Sequence, residues 1–159
     1  MKTFTDNAGR TWTVTINVDA VKRVRTLVQV NLLDVLDDGC KLLAELHDDP
    51  VLLVDVLYCV CKPEADTQNV SDEEFGRAMS GDAILQASTA LLEELSDFFP
   101  NARQRAAMKD LLKKTETVVE RLLDHAETTI AELDPESVAQ TAIASFGNSP
   151  ESSASTPDG

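Results

Sequence analysis

The side chains best suited to nucleophilic or metal chemistry in this chain are three cysteines and two histidines. Their spacing argues against both uses. Cys59 and Cys61 form a C-x-C pair, and residues two apart on a helix point in different directions. His47 and His125 are the only histidines, and neither stands at ligand spacing from the thiols. The thiols therefore read as small buried hydrophobes, and His125, set among acids, reads as a surface residue. Residues 34–45 carry part of a calcium-loop pattern, with Asp34, Asp38, Gly39 and Glu45 at the first, fifth, sixth and twelfth loop places. Leu36 and Leu42 occupy the third and ninth places, where oxygen ligands belong, and Lys41 occupies the usually apolar eighth. There is no nucleophile elbow, phosphate loop, dinucleotide fingerprint or H-E-x-x-H. The many carboxylates pattern as solvated helix faces, and only the fold could bring an acid and a base together. The expectation is a chain with no catalytic residue, cofactor or metal, which is not an enzyme and acts by binding.

Those residues must be carried by some scaffold, and composition bounds it. The chain of 159 residues is long enough for one domain. It is 43% hydrophobic but only 4% aromatic, so the core must be mostly Leu, Val and Ala. That favours helix packing over a β-sandwich. The net charge is −14, and it is unevenly spread. Residues 63–100 hold nine acids against Arg77, and no Lys or Arg follows Asp124. Basic residues cluster at Lys22, Arg23 and Arg25, and again at Arg103, Arg105, Lys109, Lys113 and Lys114. A phosphate backbone would be repelled by most of this surface, so no nucleic-acid partner is expected. No membrane partner is expected either: the near-continuous apolar run 51–61 is broken by Asp55 and falls short of the ~20 residues a span needs. The first ten residues lack an apolar signal core. An odd cysteine count without such a signal reads as a reduced, cytoplasmic protein.

The pattern along the chain predicts a mostly α protein with a small N-terminal β-hairpin, about residues 3–16. A helical bundle containing one long helix follows, and 1–147 reads as a single domain. Trp12, Val14 and Ile16 alternate with threonines and share one hairpin face. Helices are predicted after Asn17/Asp19, around Leu42–Leu46, and after the cap Asp49 with Pro50 at the first turn. The third of these is expected to end at Lys62-Pro63, and residues 30–35 fit either a helical turn or an extended link. Ser71-x-x-Glu74 is a capping box, Asp82 is read as the cap of a helix to Phe98, and Asn101 as the cap of the longest helix, to about Leu133. Asp134-Pro135 restarts a helix to Phe146, with Gly147 as its C-cap. Residues 148–159 have the composition of a disordered tail.

The longest helix carries one apolar stripe: Met108, Leu111/Leu112, Thr115, Val118/Val119, Leu122, Ala126, Ile130 and Leu133. Its first half is basic and its second half acidic, opposite to the preference of the helix dipole. That polarity suggests that the basic half meets an acidic surface, either Glu93, Glu94 and Asp97 or a neighbouring subunit, and a homo-oligomer is expected. The candidate partner-binding residues are thus Trp12, Val14 and Ile16 on the hairpin, Lys109, Lys113 and Lys114, and Val118, Leu122 and Ile130 on the stripe. The competing reading makes the apolar ones ordinary core.

The order of parts resembles that of a known family. A hairpin with a Phe4/Trp12 pair precedes short and medium helices. Then come the segments 70–75 (VSDEEF), 81–84 (GDAI) and 90–100 (ALLEELSDFFP), a long helix and a polar tail. Together these resemble the tail assembly chaperones of long-tailed bacteriophages and prophages. The resemblance implies a small acidic helical protein of the host bacterial cytoplasm, not retained in the virion. It implies that the partners are the aggregation-prone tape measure protein and the tail tube protein whose subunits are recruited, and that a longer frameshifted form would attach near the polar end. The rival readings are an acidic inhibitor or DNA mimic that binds a basic partner, and a structural head or tail completion protein.

Overall fold

A computed structural model describes residues 1–132 and 135–146. Two short strands, β1 (Lys2–Thr5) and β2 (Thr11–Val14), pair antiparallel with Phe4 opposite Trp12. Seven α-helices follow among the described residues: α1 (Val18–Leu27), α2 (Lys41–Asp48), α3 (Pro50–Gln68), α4 (Asp72–Arg77), α5 (Asp82–Phe98), α6 (Ala102–Glu132) and α7 (Pro135–Phe146). The mostly α class with a two-stranded N-terminal sheet is as the sequence reads. The predicted C-cap Gly147 and the polar tail 148–159 lie outside the described residues.

Local chemistry sets most boundaries. Asn17 accepts from the Ala20 amide, Asp49 from Val51 and Leu52, Ser71 from Glu74 and Asn101 from Arg103. Each cap satisfies amides that the first turn cannot pair internally. The ambiguous stretch after Val30 resolves as a 3₁₀ turn, Leu32–Leu36, that buries Leu32 and Val35. Asp82 is not the cap of α5. Gly81 holds that place with φ +54°, and no side chain bonds the first turn.

The largest departure is α3, which does not stop before Pro63 but runs on to Gln68. A proline within a helix removes the amide that would bond the carbonyl four residues back, here Cys59. Arg23 of α1 supplies that donor, with Nε bonding the Cys59 oxygen at 2.6 Å and Nη2 the Val60 oxygen at 3.2 Å.

The core is centred on Phe75, the buried residue of α4. Trp12, Tyr58 and Phe4 rings surround it at 5.0, 5.5 and 6.4 Å. Leu53, Val56, Leu57 and Val60 of α3 and Ala87, Leu91 and Leu95 of α5 complete it. A lone hairpin is marginal in water, and this one is anchored at its turn. Asn7 bonds the Ser80 oxygens through Nδ2 and the Ala78 carbonyl through its amide. The Asp6 carboxylate, buried beneath the turn, accepts four bonds of 2.8–2.9 Å, from the Ala8 and Arg10 amides, Arg10 Nε and Trp12 Nε1.

The sequence reads as one domain to residue 147, whereas the contacts divide the chain into two units, Met1–Lys114 and Thr115–Gly159, with the division inside α6. Among the described residues, every buried hydrophobic one lies in the first unit. In the second, every described side chain is exposed.

Candidate interaction surfaces

The hairpin face is not available to a partner. Trp12 and Val14 are fully buried and Ile16 nearly so. The alternation in β2 places Trp12 and Val14 toward the helices, where Phe75 closes on Trp12, and Ile16 just beyond the strand is buried as well. Their assignment as partner-binding residues is therefore corrected: they are core.

The basic half of α6 is partly spoken for within the first unit. Lys109 Nζ lies 2.7 Å from Asp97 of α5, and that ammonium pulls the Asp97 pKa below the ordinary carboxylate value. The other two acids read as its possible partners are engaged elsewhere, Glu93 by Lys2 at 2.7 Å and Glu94 by the N-terminal amine. Lys114 pairs with Asp110 at 2.7 Å within the helix, and Lys113 is exposed beside it. Arg105 Nη1 donates to the Phe99 and Pro100 carbonyls and so fixes the turn between α5 and α6.

The stripe on α6 behaves differently along its length. Met108 is fully buried and Leu112 packs against the core. Beyond Lys114, the spacing continues but burial does not: Val118 is 54% exposed, Leu122 63% and Ile130 67%. Leu123 on α6 and Ile143 on α7, which the sequence reading passed over, are exposed as well. Helical periodicity sets Glu116, Glu120 and Glu127 along one border of this stripe. An apolar face with carboxylates along one border suits a helical partner with an apolar seam and a basic flank.

The buried thiols and the stretch resembling a calcium loop are not arranged for the chemistry considered for them. Burial raises both core thiols, Cys61 to about 12, and its Sγ points at the Thr13 carbonyl at 3.7 Å. Such a thiol is almost wholly protonated at neutral pH. In the stretch resembling a calcium loop, residues 32–36 are coiled into the 3₁₀ turn, Asp34 accepts from Asn31 at 2.5 Å and Glu45 lies 3.5 Å from Lys41. Among the described residues no three His, Cys, Asp or Glu side chains group as a metal site, and no helix is long and apolar enough to cross a membrane. Sequence spacing also gave no sign of a groove between α1, α3 and α4, lined by Asp55 and Asp72.

Compared with family models, curated proteins and solved structures, the chain matches none.

Proposed function

We propose that this protein is a tail assembly chaperone. It holds an apolar helical segment of a tape measure protein in the host cytoplasm, brings tail tube subunits to it, and is left out of the finished virion. It works by binding and makes no covalent bond. The observation that carries the reading is the exposed apolar stripe on α6, Val118, Leu122 and Ile130, in a unit whose described side chains bury nothing. The order of segments in residues 70–100 supports the family assignment. Covering each of these side chains is worth about 1–2 kcal/mol, set against the cost of association. The carboxylates of the same helix, Glu116, Glu120, Asp124, Glu127 and Glu132, favour solubility of the loaded complex. Self-association of the chain is part of the same reading.

The test is co-expression with a tape measure protein. The expected result is that the client is insoluble alone and soluble with this chain, in a complex that survives high salt. The net charge of −14 favours the rival reading of an acidic inhibitor or DNA mimic. A complex formed only with basic partners and lost steeply with salt would establish that rival and overturn the chaperone. Recovery of the chain in purified virions would point instead to a head or tail completion protein.

A further inference from the structure

The groove between the end of α1, one face of α3 and the start of α4 has a volume of about 590 Å³, within the ~300–1,000 Å³ range of ligand clefts. Leu52, Asp55, Tyr58 and Lys62 recur at helical spacing and so share the α3 face that lines it. Leu27 and Val28 of the α1 end add apolar wall, and Asp72, the first residue of α4, adds a second carboxylate. Asp55 and Asp72 have no ion pair among the described residues. Lys62, the one cation on the wall, pairs with Asp66 at 2.8 Å and sits 5.5 Å over the Tyr58 ring. The Cys59 thiol, raised by burial, contributes no charge. Burial first, then the charges of Asp72 and Asp49, pushes the Asp55 carboxyl above its ordinary range. Two carboxylates repelling one another beside apolar walls are stabilised by a cation and destabilised by its absence.

From this geometry we infer that the groove receives a Lys or Arg side chain of a partner polypeptide, its alkyl stem along Leu27, Val28 and Leu52 and its charged head between Asp55 and Asp72. Long basic side chains bury their stems on apolar surface while keeping the head paired, and charge-assisted bonds to carboxylates are the stronger kind. The groove lies wholly within the Met1–Lys114 unit and uses no residue of the exposed α6 stripe, so it stands or falls separately from the chaperone reading.

The test is an NMR titration of the full chain at fixed ionic strength with n-hexylamine and n-butylguanidinium as mimics of the two side chains. n-Hexanol and spermidine serve as controls for stem without charge and charge without an apolar stem. Saturable shifts should centre on Leu27, Val28, Leu52 and Asp72, and the Asp55 carboxyl should titrate at lower pH once the probe is bound. Affinity should fall about tenfold in Asp55→Asn and in Asp72→Asn. The second site is an exposed helix start, so its variant reports even if the first disturbs α3. Equal binding of hexanol, tighter binding of spermidine, shifts spread over the other acidic helices, or indifference to both substitutions would each overturn the site.

Discussion

Replacing Asp6 by alanine should be among the most damaging single changes to this chain, although it deletes only a small polar side chain. The carboxylate is buried and accepts four bonds of 2.8–2.9 Å, two of them from backbone amides. Trp12 is fully buried, so its indole N–H has no water to turn to when Asp6 is removed. Leaving a buried donor unpaired costs about 1–3 kcal/mol, and losing charge-assisted bonds adds about 1–2 kcal/mol. The expected loss is therefore about 2–5 kcal/mol, against a typical domain stability of about 5–15 kcal/mol. Asp6→Asn keeps an oxygen for the two amides but turns an NH₂ toward Arg10 and Trp12, so it should lose roughly half as much. The assay is urea unfolding followed by the fluorescence of Trp12, the single tryptophan. Burial alone would raise the Asp6 pKa, but the Trp12 and Arg10 hydrogen bonds and the Arg10 charge outweigh it and hold it below the ordinary carboxylate value. Its stabilising contribution is thus present above the unfolded-state pKa of about 3.9 and lost as pH falls through the lower folded value. The acid sensitivity of the wild type should be blunted in Asp6→Asn. An Asp6→Ala loss under about 1 kcal/mol, no larger than that of the exposed control Asp48→Ala, would refute the reasoning.

Other outcomes follow from the same geometry. Arg23→Met should cost about 1–3 kcal/mol, chiefly by orphaning the Cys59 carbonyl, and Pro63→Ala, which restores an amide to α3, should shrink that cost in a double-mutant cycle. Leu122→Ala should leave the melt within about 0.5 kcal/mol of wild type, whereas Leu57→Ala in the core should lose about 2–5 kcal/mol. Because the folded-state pKa of Asp55 is raised, its ionised form opposes folding at neutral pH. Asp55→Asn should therefore raise the urea midpoint near pH 7, and the advantage should fade as pH falls toward about 4.

What the sequence disclosed and what it hid divide along the reach of the interactions. The Asn17, Asp49, Ser71 and Asn101 caps act within three residues, so their chemistry is visible in the string. Pro63 was misleading because the donor that rescues α3 comes from Arg23, far upstream and on another helix. Alternation in β2 told which residues share a face but not whether that face meets helices or a partner. The burial of Trp12 follows from Phe75 on one side and the Asp6 carboxylate beneath. The α6 stripe shows the converse. Its spacing is regular from Met108 to Ile130, yet only its beginning is covered. Asp55 and Asp72 line one groove through the packing of α3 with α4, which no local pattern records.

The most direct test of the claim that this chain works through an exposed apolar face is calorimetric titration of a tape measure protein's helical segment into a combined Val118→Ser, Leu122→Ser, Ile130→Ser variant. The account expects an unchanged urea midpoint, because none of the three is buried, with affinity reduced by about two orders of magnitude at roughly 1 kcal/mol per side chain. Wild-type affinity in a folded variant would contradict it.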